Sequence, residues 1–150
     1  VLENNIQTKI KHIDVQDCTR SLLAMELWIN EGTEIDLSDQ LNIESGDIHR
    51  MAETANWLAY SLRELSRLLG RIDLIKELDD LRQRIIYGIK EELIDLVKIK
   101  GIGRVRARRL YRNNIKTRQD LAATSVNQLA AIDKIGMTVA NNIKSQLKVR

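Results

Sequence analysis

The chain has 150 residues, 43% apolar and 30% charged, the balance of an ordinary soluble globular protein with room for one or two small cores. No apolar run approaches the roughly 18 residues a membrane span needs, no secretory signal opens the sequence, and the lone Cys18 excludes an internal disulfide. Zero prolines and seven glycines predict an all-α fold, and the cysteine usage suits the reducing cytoplasm.

A start at Val1 without an initiator methionine reads as a piece of a longer polypeptide. The net charge of +3 conceals a split. Residues 1–90 carry 11 Lys/Arg against 16 Asp/Glu, and residues 91–150 carry 13 against 5. This asymmetry points the C-terminal part toward a polyanion, with a solvated basic face as the plainer reading.

In chain order, "DCTRSLLAMELWINEG" reads as a helix with Asp17 as N-cap and Gly32 as its end. Cys18, Leu22, Met25 and Ile29 form its inward stripe, with Trp28 at the edge of that stripe and in the core. "IDLSDQLNI" predicts a short helix, and Ser45 is placed to cap the longer one that follows. In "HRMAETANWLAYSLRELSRLL", residues 49–69, Met51, Ala55, Leu58, Leu62, Leu65 and Leu69 recur at spacings of four and three. They predict one buried stripe, stopped at Gly70. Trp57 falls about 120° from the middle of that stripe, and Arg50, seven residues earlier, lies on the same side about two turns away. Helical geometry alone leaves Trp57 two readings: packing against a neighbouring helix, or a surface platform. Next, "IDLIKELDDLRQRIIYG" turns Ile75, Leu78, Leu81 and Ile85 inward until Gly88 interrupts it. A boundary at 88–91 divides a helical domain, 1–88, from a second domain, 89–150.

That second part repeats. Shifted by 33 residues, "LVKIKGIGRVRARRL" lies on "LAAIDKIGMTVANNI", so Leu96 meets Leu129, Ile99 meets Ile132, Ile102 meets Ile135, Gly103 meets Gly136 and Ala107 meets Ala140. Two copies of one unit follow, each a helix, a tight hairpin and a helix, with Thr117 and Asp120 boxing the cap of a connecting helix. In "KGIGR", Gly101 and Gly103 permit a close backbone approach, and the helix after them opens with unpaired N–H groups that suit a phosphate. Lys98, Lys100, Arg104, Arg106, Arg108, Arg109 and Arg112 surround it without an acid among them. On a straight helix Arg106 and Arg108 flank the apolar patch of Ala107, Leu110 and Tyr111, while Arg109 and Arg112 point away. The second copy has Lys134 in place of Gly101 and neutral Asn141 and Asn142 in place of arginines, which makes it a structural partner. Contacts of this kind hold nucleic acid with little sequence preference, and paired helical hairpins also serve protein contacts.

Nothing here reads as catalytic. His12 and His49 are isolated, Cys18 sits on an apolar stripe, and no phosphate-binding loop with its lysine exists, so no metal or nucleotide cofactor is expected in this chain.

"GDIHRMAETANWLAYSL" and, more specifically, "YGIKEELIDLVKIKGIGRVRARRLY" resemble the C-terminal third of archaeal Hjm-type DNA helicases. These are superfamily-two enzymes related to the helicase part of DNA polymerase theta. The resemblance implies a ratchet domain, entered partway, followed by a small helix-hairpin-helix domain. ATP and Mg would belong to motor domains of the same polypeptide that this chain lacks. It implies single-stranded and branched DNA as substrates, at replication forks and in repair or restart, handled by a monomer away from membranes. Arg50 and Trp57 match the pair that stacks on bases from the long ratchet helix. Arg106, Arg108 and Arg104 match arginines that grip exiting DNA and restrain unwinding. The tail "SQLKVR" shows no sliding-clamp peptide. Two other classes stay open: a stand-alone DNA-binding module of a repair nuclease or polymerase, and a protein-interaction scaffold.

Overall fold

The computed structural model describes residues 15–148, and all regular structure among them is helical. His12 and the last two residues of the tail lie outside them. Helix α1 (Val15–Ile29) begins before Asp17, so that residue lies inside the helix and not at its N-cap position. Its end is a Schellman closure: Gly32 N–H donates to Leu27 O at 2.7 Å and Glu31 N–H to Trp28 O at 3.1 Å. The left-handed residue is Glu31, at φ 69°, one place before the expected glycine. Gly32 is needed for a different reason, since a Cβ there would stand 2.8 Å from Leu27 O.

Helix α2 (Glu34–Leu41) starts from a capping box of Thr33 and Asp36 that the sequence reading missed. Helix α3 (Ser45–Leu68) is 24 residues long, about 36 Å. Ser45 is its first helical residue, and the N-cap is Glu44, whose side chain caps nothing. Helix α4 (Asp73–Tyr87) lies against it, with Leu78 and Ile85 buried and Ile75 and Leu81 half-buried on the expected side.

The leucine stripe of α3 is not the buried face. Ile48, Ala52, Ala59 and Ser66 are buried instead, on a line about 80° round the helix. Ala52 and Ala59 cluster with Ile85, because small residues at seven-residue spacing let the α4 axis come close. Met51 and Ala55, at the N-terminal end of the expected stripe, do pack beside α1. Leu58, Leu62, Leu65 and Leu69 are exposed. Cys18 and Leu22 on α1 are exposed as well, while Ala24 and Trp28 fill the core.

Trp28 locks α1 onto the end of α4. Its Nε1–H donates to Ile85 O at 2.7 Å, and its ring lies so close to Gly88 that an added Cβ would meet it at 2.6 Å. Gly88 itself is left-handed at φ 61°, which ends α4. The interruption seen in the sequence is therefore both a stop and a seat for an indole.

A 3₁₀ turn (Glu91–Leu93) leads into α5 (Ile94–Val97), α6 (Arg104–Arg112), α7 (Arg118–Ala123), α8 (Val126–Ala130) and α9 (Met137–Lys148). The repeat is visible in the backbone. Ile102 N–H reaches Ile99 O and Ile135 N–H reaches Ile132 O, both at 3.0 Å. Ala107 bonds to Gly103 and Ala140 to Gly136 in the same register. The left-handed corner is Gly101 in one copy and Lys134 in the other, at φ 93° and 67°. Thr117 and Asp120 form the expected capping box of α7. Fifteen buried apolar residues between Ile89 and Ile143 make one core shared by both copies.

Candidate nucleic-acid interface

The alanine line of α3 decides what its opposite side presents. Trp57 lies about 160° from that line and is 64% exposed. Arg50 is exposed two turns earlier and pairs with Asp47. Thr54 and Ser61 fold their hydroxyls back onto the carbonyls of Arg50 and Trp57, leaving the indole unshielded by long side chains at those positions. Glu53 and Asp47 also sit on this face, so it offers aromatic surface without an excess of positive charge.

The basic hairpin is arranged otherwise than a straight helix suggests. Gly103 is the extended N-cap of α6, no side chain caps that helix, and Lys98 and Lys100 are exposed before it. Arg104 turns toward the first helical group: its guanidinium lies 5.0 Å over the Trp28 ring and donates to Gly32 O at 2.6 Å. Burial there pushes its pKa down, against the pull of Glu31, Glu34 and Asp36.

Arg108 makes a bidentate pair with Glu31, both bonds 2.8 Å, and a third bond to Glu92 at 2.9 Å. The Glu31 hydrogen bond raises its pKa over the opposing effect of burial. Burial alone would push Glu92 up, but Arg108 and the neighbouring charges outweigh it and hold the carboxyl below its ordinary value. The left-handed turn at Glu31, unusual for a residue with a Cβ, delivers that carboxylate to α6.

Arg106 ties the hairpins together, donating to Gly101 O and Lys134 O at 2.8 Å each. Arg109 pairs with Asp133 of the second copy at 3.1 Å, whereas the helical rotation expects it to point away. Gln146 of α9 brackets Lys100, accepting from its N–H and donating to its O, both at 2.9 Å. Lys100, Gly101, Arg106, Asn142 and Gln146 thus border one open cleft of about 460 Å³.

The nine residues singled out in the sequence therefore fall into three settings. Arg50 and Trp57 share the outer face of α3. Lys98, Lys100, Gly101, Gly103 and Arg106 belong to the hairpin edge. Arg104 and Arg108 are drawn into contacts with the first helical group. Glu31 and Gln146, which set that arrangement, carry no sequence signal, since each acts on a residue dozens of positions away. Among the described residues no cluster of His, Cys, Asp and Glu is placed to hold a metal, and no helix is long and apolar enough to cross a membrane.

Comparison with known proteins gives two family matches: "Archaeal helicase, domain 4" over residues 2–88, and "SAM-like Helix-hairpin-helix tandem" over residues 93–149. The chain is 37% identical over 129 residues to the ATP-dependent DNA helicase Hel308 of Pyrococcus horikoshii, covering 85% of this chain and 18% of that protein. It is 42% identical over 122 residues to the protein of the same name from Methanocella arvoryzae, covering 81% and 16%. The Thermococcus kodakarensis protein of that name is 38% identical over 123 residues, covering 81% and 11%. The chain thus spans less than a fifth of the length of these relatives. With more than half of its residues inside the first match, the chain belongs to the archaeal helicase domain 4 family.

Proposed function

We propose that this chain is the strand-handling C-terminal part of an ATP-dependent DNA helicase. Trp57 and Arg50 on α3 meet the bases of single-stranded DNA, and the first hairpin meets its phosphates. ATP and Mg are handled by motor domains outside this chain, and the substrates are forks and branched DNA in repair or restart. The names of the relatives, ATP-dependent DNA helicases, support the class.

The observation that carries the reading is the exposure of Trp57 opposite the buried alanine line. A large indole left in water gains by stacking, at roughly 1–3 kcal/mol per base and with tolerance for any base. Glu53 and Asp47 on the same face keep phosphates off it, so this contact depends little on salt. Lys100 and Arg106 border the cleft, with Lys98 exposed just before the hairpin, where phosphates would add the salt-dependent share. Arg104 and Arg108 position the hairpin against the first helical group and reach DNA only by releasing Glu31 and Gly32.

The two tryptophans allow a direct test. Trp28 is buried and Trp57 exposed, so adding single-stranded DNA should quench the emission of Trp57 alone. Trp57→Ala should abolish that quenching and weaken binding about 5- to 150-fold, with a melting temperature close to that of the parent chain. Unchanged affinity in Trp57→Ala would sink the reading.

A further inference from the structure

Tyr60 stands three residues beyond Trp57, about 4.5 Å along the helix and about 60° round it toward α4. It is 46% exposed, and Arg82 of α4 lies over its ring at 4.9 Å. That guanidinium is not loose. Its Nε donates to Asn56 Oδ1 at 3.0 Å, and Asp79, itself bonded by Arg63 Nε at 2.9 Å, lies 3.7 Å from its Nη1. The ring therefore has a fixed cation on one face and remains nearly half open to water.

Beside it, between α3 and α4, is a recess of about 440 Å³ lined by His49, Ala52, Glu53, Asn56 and Ile86. Asn56 belongs to both features, lining the recess and anchoring Arg82. The recess has an apolar wall in Ala52 and Ile86 and a polar rim in His49, Glu53 and Asn56. Its volume is within the range of small-ligand clefts. A flat ring with a polar edge suits such a lining. A phosphate does not, because Glu53 at the rim repels it.

From this we propose that Tyr60, braced by Arg82, is a second base-stacking station, which passes a nucleobase from Trp57 toward the α3–α4 recess. Successive bases then meet two aromatic rings on adjacent faces of one helix. The proposal rests on the reading of Trp57 as a stacking residue.

The experiment is equilibrium binding of a fluorescein-labelled single-stranded 20-mer to the full chain and its Trp57→Ala, Tyr60→Ala, Tyr60→Leu and Tyr60→Phe variants. Tyr60→Phe should bind within about twofold of the parent, because the ring is kept. Tyr60→Leu, which stays apolar but has no ring, and Tyr60→Ala should each lose about 5- to 150-fold. Circular dichroism identifies any variant that fails to fold, and Tyr60→Leu decides the matter if Tyr60→Ala does not. Parent-like binding by folded Tyr60→Leu, with Trp57→Ala still weakened, overturns the second station and spares the Trp57 reading. Parent-like binding by Trp57→Ala and Tyr60→Leu together overturns both.

Discussion

Between Ile89 and Ile143, the twin hairpins bury Leu96, Leu110, Leu121 and Leu129 completely, whereas the C-terminal half of α3 leaves Leu58, Leu62, Leu65, Leu68 and Leu69 in water, Leu68 at 82% exposure. The helical group, residues 15–88, is the larger of the two, so size does not explain the contrast. The hairpins close their core because each copy covers the apolar face of the other, which is what a two-fold repeat supplies. The helical group instead meets α4 along Ala52 and Ala59, and α1 covers only the N-terminal part of the leucine side. Its seam has no such internal copy. A contiguous apolar surface of that kind is where further chain or a partner packs.

The strongest way to break this comparison is to truncate one leucine in each region. Leu110→Ala should cost about 2–5 kcal/mol of stability, read from urea unfolding, because it empties a closed core. Leu62→Ala should stay within about 0.5 kcal/mol, because its side chain is already in water. Equal costs at the two sites would mean the seam is covered in solution, and sedimentation at several concentrations would reveal a second copy doing so.

Gly88→Ala probes the junction between the regions. A side chain there must adopt a left-handed conformation, at about 1–2 kcal/mol, and must also displace the Trp28 ring. The expected result is a loss of more than about 2 kcal/mol, with Trp28 emission shifted to the red. Parent-like stability would show that Trp28 can leave its seat without cost.

The smallest effect uses a device the two regions share. Asp36 and Asp120 each cap a helix, and hydrogen bonds hold both below the ordinary 3.8, chiefly from the backbone of Thr33 in one case and of Lys116 in the other. A depressed carboxyl stabilises the fold above its unfolded pKa, and the contribution is lost as pH falls through the lower folded value. Asp36→Asn and Asp120→Asn should therefore each lower stability slightly at neutral pH, where the charged carboxylate contributes, and flatten its decline below about pH 4, where the parent loses that contribution too. A titration identical to that of the parent chain would remove the caps from the acid transition.

Much of the fold is legible in local signals. The absence of proline, the 33-residue repeat, the Thr117 capping box, the Gly70 stop and the inward line of α4 all act within a few residues of themselves or by direct self-similarity. The offset of Trp57 from its own apolar stripe is likewise a matter of rotation along one helix. Tertiary structure alone decided which line of α3 is buried. Four leucines outrank two alanines in hydrophobicity, but the alanines let two axes approach, and close packing between neighbours won. The partners of the arginines were equally out of reach of sequence reading. Arg108 meets Glu31 across 77 positions, and Gln146 brackets Lys100 across 46. Such pairs depend on how finished helices dock, and an arginine reads the same in sequence whether its charge faces water, a phosphate or a buried carboxylate.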